Sequence, residues 1–490
     1  YSFGCSLPPH SPPREAPASA KRRRAQSAPS PAHPARIRSR ARAAAVSLPV
    51  SASASAMAPD APAPHRLRRL QDADLDGKVV LVRVDHNCVR RGSLTDAFRV
   101  DATIATLYNI VERGGRPILM THVGRPYDKK TNSIRADEGD AVVAAARYLQ
   151  SRLGVTFAVP EFRLDDSRGI LDIDTSVNWL IDDLRARRIG GVYLPNTRWF
   201  AGEEGRFGAD TSARFAEQLA GLADVFVNDA FGSWQPHVST LGVTKMLPSY
   251  AGLLMQKELK ALDALLRPTR PFLAVIAGAK LDTKIGTVKA VARRCDALML
   301  GGQLYNAYLA AKFGITVRGV SEEDVELARA ELLGDPEIEA KLLPLSTLVE
   351  SADLSGCGCV PRDGVCGDDD VDTSRTNPVH VRDLVAGREY GYFLDVAPVS
   401  FTEARVKEAL RSSKTIFVNA VMGLTSSGFH EGTAALDAAI AANAPARKYF
   451  GGGDTLAEFK SLSPGLYMSA LEDPQYYLFT GGGTVLKALE

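Results

Sequence analysis

Six times this chain runs an apolar stretch of strand-like length straight into a glycine, a basic residue or an acid–amide pair. The six fall into two well-separated groups. Residues 79–85, 118–122 and 225–229 make the first; residues 272–278, 449–454 and 477–483 make the second. In open parallel α/β sheets, ligands bind outside the carboxyl ends of the strands, where these polar residues and glycines fall. Two separated sets predict two half-sites that face each other.

Composition agrees with a large soluble α/β protein. A chain of 490 residues exceeds a usual single domain. Its hydrophobic content of 45% and charged content of 24% are ordinary for globular proteins. No apolar run reaches the ~20 residues of a membrane span, so no membrane association is expected. The cysteines, Cys5, Cys88, Cys295, Cys357, Cys359 and Cys366, are too scattered for a disulfide framework and suit a reducing compartment.

The overall charge of +2 conceals two unlike parts. Residues 1–57 hold nine of the 59 Lys and Arg but only one of the 57 Asp and Glu, Glu15. The remainder carries 50 against 56, a net charge of −6, which predicts no nucleic-acid partner. The first 71 residues read as a disordered segment, too poor in apolar residues to bury a core. Arg-rich, Ser-rich and acid-poor composition reads as a transit peptide, here of plastid type. Lys21-Arg22-Arg23-Arg24 admits a nuclear reading instead, and a true start at Met57 would leave a cytoplasmic protein.

Beyond this segment the organisation is regular. Strands alternate with helical patterns at Asp101–Arg113, Asp140–Arg152 and Ser212–Leu222, which predicts an α/β domain over 72–248. Residues 249–267 read as a connecting helix, ended by the prolines of Arg267-Pro268-Thr269-Arg270-Pro271. A second α/β domain then runs over 268–490. The predicted fold is thus two doubly wound parallel-sheet α/β domains with a cleft between them. Residues 351–380, with three cysteines, Asp368-Asp369-Asp370 and His380, match no zinc spacing and read as a solvated insertion.

The chemistry is concentrated in short segments. On the first side these are Arg83-Val84-Asp85-His86-Asn87, Arg99, His122-Val123-Gly124-Arg125-Pro126, Asn196-Thr197-Arg198 and Asn228-Asp229-Ala230-Phe231-Gly232. On the second they are residues 277–285 around Gly278, Lys280 and Lys284, then Gly451-Gly452-Gly453-Asp454-Thr455 and Thr480-Gly481-Gly482-Gly483. In order and type, over roughly residues 74–490, these segments resemble the phosphoglycerate kinase family. That resemblance implies reversible phosphoryl transfer between 1,3-bisphosphoglycerate and ADP, giving 3-phosphoglycerate and ATP, in glycolysis or carbon fixation. The contrasting expectation is a catalytically silent relative kept for binding.

The residue types suit such ligands on physical grounds. Planar guanidinium groups hold carboxylates and phosphates in bidentate fashion, so Arg83, Arg99, Arg125 and Arg198, with His122, form a candidate substrate patch. Asp85 and Asn87 are placed to hold a substrate hydroxyl. Glycines let backbone approach phosphate oxygens, and a following helix offers unpaired N–H groups. The nucleotide side is therefore assigned Gly278, Lys280, Lys284, Asn419, Gly451, Gly452, Gly453, Asp454 and Thr455. Lys280 and Lys284, four apart, share a face if the helix has begun. Asp454 is the expected ligand for Mg2+, which takes one or two carboxylates plus phosphate oxygens. The resemblance assigns catalysis to Arg99, Lys284, Gly452 and Gly453. It also implies domain closure about the connecting helix and a monomer acting on small-molecule substrates.

Four departures from the family pattern bear on the site. Ser233-Trp234-Gln235-Pro236-His237 stands where the family has His-Arg-Ala-His, with Gln235 near the place of an arginine. Ala420-Val421 replaces Gly-Pro, and Gln303 replaces a glycine. Ser426 aligns with the acid that holds the nucleotide ribose, which predicts weak ADP binding and poor discrimination among purine nucleotides. The chain also ends at Glu490, before the family's returning tail, as a fragment would.

Overall fold

The computed structural model describes residues 67–354 and 376–490. The transit and nuclear-signal readings, and Cys357, Cys359 and Cys366, lie outside these residues. Six parallel strands form the first sheet: β1 (Val79–Val84), β2 (Arg116–Met120), β3 (Phe157–Ala158), β4 (Gly191–Tyr193), β5 (Val225–Asp229) and β6 (Ser249–Ala251). Their order is β6-β5-β1-β2-β4-β3. The chain order reverses between β1 and β5, so a crevice opens beyond their carboxyl ends. Every residue of β1 is buried. Val80, Val82 and Val84 enter one core cluster and Val79 and Leu81 the other, the period of two that a strand covered on both faces requires.

The second parallel sheet comprises β7 (Phe272–Gly278), β8 (Ala297–Gly301), β9 (Thr415–Asn419), β10 (Arg447–Gly451) and β11 (Tyr476–Phe479), in the order β8-β7-β9-β10-β11. Here the reversal falls between β7 and β9, at Gly278 and Asn419. A small antiparallel sheet of Thr347–Ser351, Thr376–His380 and Tyr392–Val396 is inserted between β8 and β9. The cysteine-bearing segment thus joins two paired strands of that sheet.

Helix α1 (Ala97–Glu112) starts earlier than its periodicity predicts, because the Asp96 side chain accepts from the Phe98 N–H and caps it. The connecting helix α2 (Leu253–Leu266) starts later than residue 249. Residues 249–251 are instead the edge strand β6, paired with β5 at Phe226–Asn228. Gly252 is extended there, and the Asp229 carboxylate accepts from the Met255 N–H at 3.1 Å, so the cap comes from β5 rather than from the helix's own sequence. Residues 67–71, read as part of a disordered segment, are ordered. Leu70 is buried, and Arg69 bridges to Ala251. Among the described residues no helix is long and apolar enough to cross a membrane.

Candidate active site

Beyond β1, β2 and β5 lies a cavity of about 670 Å3 bordered by Arg83, Asn87, His122, Arg125 and Arg198. Arg83 is fully buried at its floor. Its Nε donates to Ser239 Oγ at 3.0 Å, one Nη to the Val84 carbonyl, and the other to His122 Nδ1 at 2.9 Å. Three of its five N–H groups are therefore spent on fixing the guanidinium plane. Glu203, also buried, accepts from the Ser239 N–H and hydroxyl, bringing a compensating charge close. Burial, reinforced by Arg83, holds the His122 imidazole well below its ordinary pKa. With Nδ1 accepting from a guanidinium, the neutral ring keeps its hydrogen on Nε2 and remains a donor.

Arg198 is braced likewise. Its Nε lies 2.9 Å from Glu204 and an Nη donates to the Gly124 carbonyl at 2.6 Å. The Gly124 N–H donates to Asn87 Oδ1 at 3.0 Å, while Asn196 Oδ1 accepts from Val123 N–H and Arg198 N–H. Asn87 and Asn196 thereby tie the loop after β2 to its neighbours. Arg125 remains exposed.

The second cavity, about 680 Å3, is bordered by Gly278, Lys284, Asn419, Gly452, Gly453, Asp454 and Thr455. Helix α3 (Ile285–Arg294) begins just after Lys284. Lys280 therefore precedes the helix and is exposed outside the cavity, and the two lysines share no helix face. Lys284 Nζ donates to the Ala277 carbonyl at 2.6 Å and to Asn419 Oδ1 at 3.1 Å, spanning the β7/β9 reversal. Burial pulls its pKa down, and the charge of Asp454 opposes the shift. Gly452, at φ +128°, turns the chain from β10 into helix α4 (Gly453–Leu462), leaving the first-turn N–H groups and Asp454 at the cavity. Gly451 lies behind, its carbonyl accepting from Asn419 Nδ2.

Asp454, the carboxylate beside the glycine N–H groups at the start of α4, fits Mg2+ held jointly with phosphate oxygens, not a protein-only cage. Among the described residues there is no cluster of three or more His, Cys, Asp or Glu arranged for a metal.

The halves meet between the cavities. Asp85 is buried, with Oδ2 3.5 Å from Arg99 Nη1 and Oδ1 without a partner. A Cβ built on Gly453 would lie 4.0 Å from Arg99 Nη2, so the guanidinium reaches across to the start of α4. Phe231 crosses further. Its ring belongs to the core of the second half and stacks on Phe479 at 6.1 Å. Gly481 lies against Gly232, and Gly482 against Gly452, so closely that a Cβ on either would stand 2.6 Å or less from backbone. In the turn after β11 the Thr480 N–H and hydroxyl donate to Glu258 of α2 at 2.9 and 2.8 Å.

Sequence reasoning missed Arg90 at the first cavity, and Trp234, Gln235 and His237, noted as a departure from the family pattern, border it too. At the second it missed Thr425 and Glu458.

Fold and site together define a two-sheet α/β protein in which a braced cationic cavity faces a glycine-edged cavity suited to phosphates. The chain belongs to the phosphoglycerate kinase family, whose sequence profile matches residues 70–490. It is 33% identical over 428 residues to the phosphoglycerate kinase of Trichodesmium erythraeum, covering 86% of this chain and 95% of that one. The Rubrobacter xylanophilus enzyme is 32% identical over 427 residues, with the same coverage. Among solved structures, phosphoglycerate kinase from Coxiella burnetii shares the fold with a TM-score of 0.64 at 23% identity, over 86% of this chain and 96% of that one. The Pyrococcus horikoshii phosphoglycerate kinase does so at 0.65 and 21%, over the same shares.

Proposed function

We propose that this protein is an active phosphoglycerate kinase, transferring a phosphoryl group reversibly between 1,3-bisphosphoglycerate and ADP. The observation that carries this reading is the reach of Arg99. It is anchored beside Asp85 in the first half, yet its guanidinium stands 4.0 Å from where a Cβ on the first residue of α4 in the second would lie. A moving phosphoryl group spreads charge over its equatorial oxygens and needs positioning and neutralisation more than covalent help. Arg99 from one side and Lys284 from the other supply cations, and the α4 N-terminus supplies N–H groups fixed before reaction.

Arg83, His122, Arg125 and Arg198 would hold the three-carbon acid by its carboxylate and phosphate, with Asn87 tying down the loop that carries Arg125. The unpartnered Asp85 Oδ1 is an acceptor suited to a substrate hydroxyl. Asp454 would hold Mg2+, which when bound neutralises phosphate charge. Approach of the halves about α2 excludes the water that would hydrolyse an acyl phosphate. A coupled assay of the full chain with 3-phosphoglycerate, ATP and magnesium tests the reading. Turnover that requires all three is expected; none with any purine nucleotide would favour the silent binding protein.

A further inference from the structure

Two carboxylates border the second cavity, and only Asp454 has been given a task. The other, Glu458, sits one helical turn further along α4, about 6 Å along the axis from Asp454 and on the same face. The two look toward different neighbours. Asp454 is close enough to Lys284 to act on its charge. Glu458 Oε1 accepts from Thr425 Oγ1 at 2.9 Å, and Oε2 lies 3.3 Å from Ser461 Oγ.

Thr425 and Ser426 share a short helical turn on the cavity wall, so Glu458 stands beside the position where the family's ribose acid is missing. The same cavity also has an apolar part to its wall, formed by Phe393, Leu394, Met422 and Leu424. Cations and glycine N–H groups, a carboxylate and apolar surface are the three kinds of partner that the phosphates, sugar and base of a nucleotide need. A carboxylate offers about four lone-pair directions. Thr425 and Ser461 take two, which leaves two for a vicinal diol.

We propose that Glu458 is the acceptor for the sugar hydroxyls of the bound nucleotide. It supplies from helix α4 the negative charge that Ser426 lacks and makes the site selective for ribonucleotides. This rests on reading the second cavity as the nucleotide site, and it reverses the expectation of poor discrimination drawn from Ser426 alone. Thr425 positions the carboxylate by donating to one oxygen.

Calorimetric titration of the full chain and of its E458A and E458Q variants with ADP and with 2′-deoxy-ADP tests it. The unsubstituted protein should prefer ADP by about tenfold, since hydrogen bonds to an ionised acceptor are roughly twice as strong as neutral ones. In E458A the preference should fall to about one, with E458Q between. The ratio is taken within each variant, so a general loss of stability does not imitate the effect. A preference that survives in E458A, or collapses in S426A instead, overturns the assignment while leaving the nucleotide site intact. Absence of binding by either nucleotide to the unsubstituted protein overturns both.

Discussion

The two cavities are nearly equal in volume and opposite in construction. In the first, guanidinium groups do the facing, and neighbouring groups hold them: Arg83 by buried Ser239 and His122, Arg198 by half-buried Glu204 and the Gly124 carbonyl. In the second, backbone does much of the facing, at Gly452 and Gly453, with Lys284 steered by one carbonyl and one amide. Side-chain cations need a scaffold of further side chains, so changing one residue disturbs several. A backbone cradle needs only the glycines and the helix start, which leaves the surrounding walls free to change. Three of the four departures, at Gln303, Ala420-Val421 and Ser426, border the second cavity, and one, at Gln235, borders the first.

Predictions that could break this contrast begin where both constructions converge. R99A and K284A should each lower turnover by at least ~10²-fold, because each removes charge stabilisation that develops at the transition state. Near-normal turnover in both would remove these residues from the mechanism. Within the first cavity, R198A should raise the KM for 3-phosphoglycerate by tenfold or more, and R125A by about threefold, since a braced cation loses less entropy on binding than a free one. Equal effects would mean that bracing is irrelevant to affinity.

A smaller effect isolates the second cavity. D454N should weaken Mg2+–ADP binding by about tenfold, the scale of one charged contact, while calorimetry with 3-phosphoglycerate alone shows no change. Equal losses for both ligands would point to folding instead.

The joint between the cavities has its own pH signature. Burial raises the Glu258 carboxyl from 4.5 to about 7, against the opposing Thr480 donors. The folded protein then keeps a proton that the unfolded chain releases between those values. The associated stabilisation is full below pH 4.5 and is lost as pH rises through 7. E258Q should reduce this slope and, above pH 7, add on the order of 2 kcal/mol to stability in urea. Asp229 and Asp395, raised to about 6, and Asp437, raised to about 7, have the same sign and leave a residual slope. An unchanged slope in E258Q would show that the proton is held elsewhere.

The strands that carry chemistry were legible because burial on both faces writes them as apolar runs ending in polar residues, as in Val79–Asp85. Short strands such as Phe157–Ala158 were not, since two residues have no period. Ser249–Ala251 was read as helix because its cap, Asp229, lies on a distant strand. Motif residues such as Arg83, His122 and Lys284, chosen by type and position, do border the two cavities. Lys280 and Lys284 could share a face only if the helix had begun before Lys284, and it begins after it. Glu458 had no local signal. Its meaning arises only when α4 packs beside Thr425, thirty-three positions earlier in the chain.

Phe231 gives the molecule a mechanical character. It belongs to the first half by sequence, but its ring is embedded in the core of the second, and its carbonyl is gripped by the Thr484 hydroxyl at 3.0 Å. The next residue, Gly232, abuts Asp85 on one side and Gly481 on the other. The pin that joins the two bodies is thus driven in next to the pair of groups, Asp85 and Arg99, that address the opposite half. In a lever, points beside the fulcrum move least. If the halves swing as they approach about α2, a contact placed here lets the outer rims of the two cavities part most and Arg99 and Gly453 least.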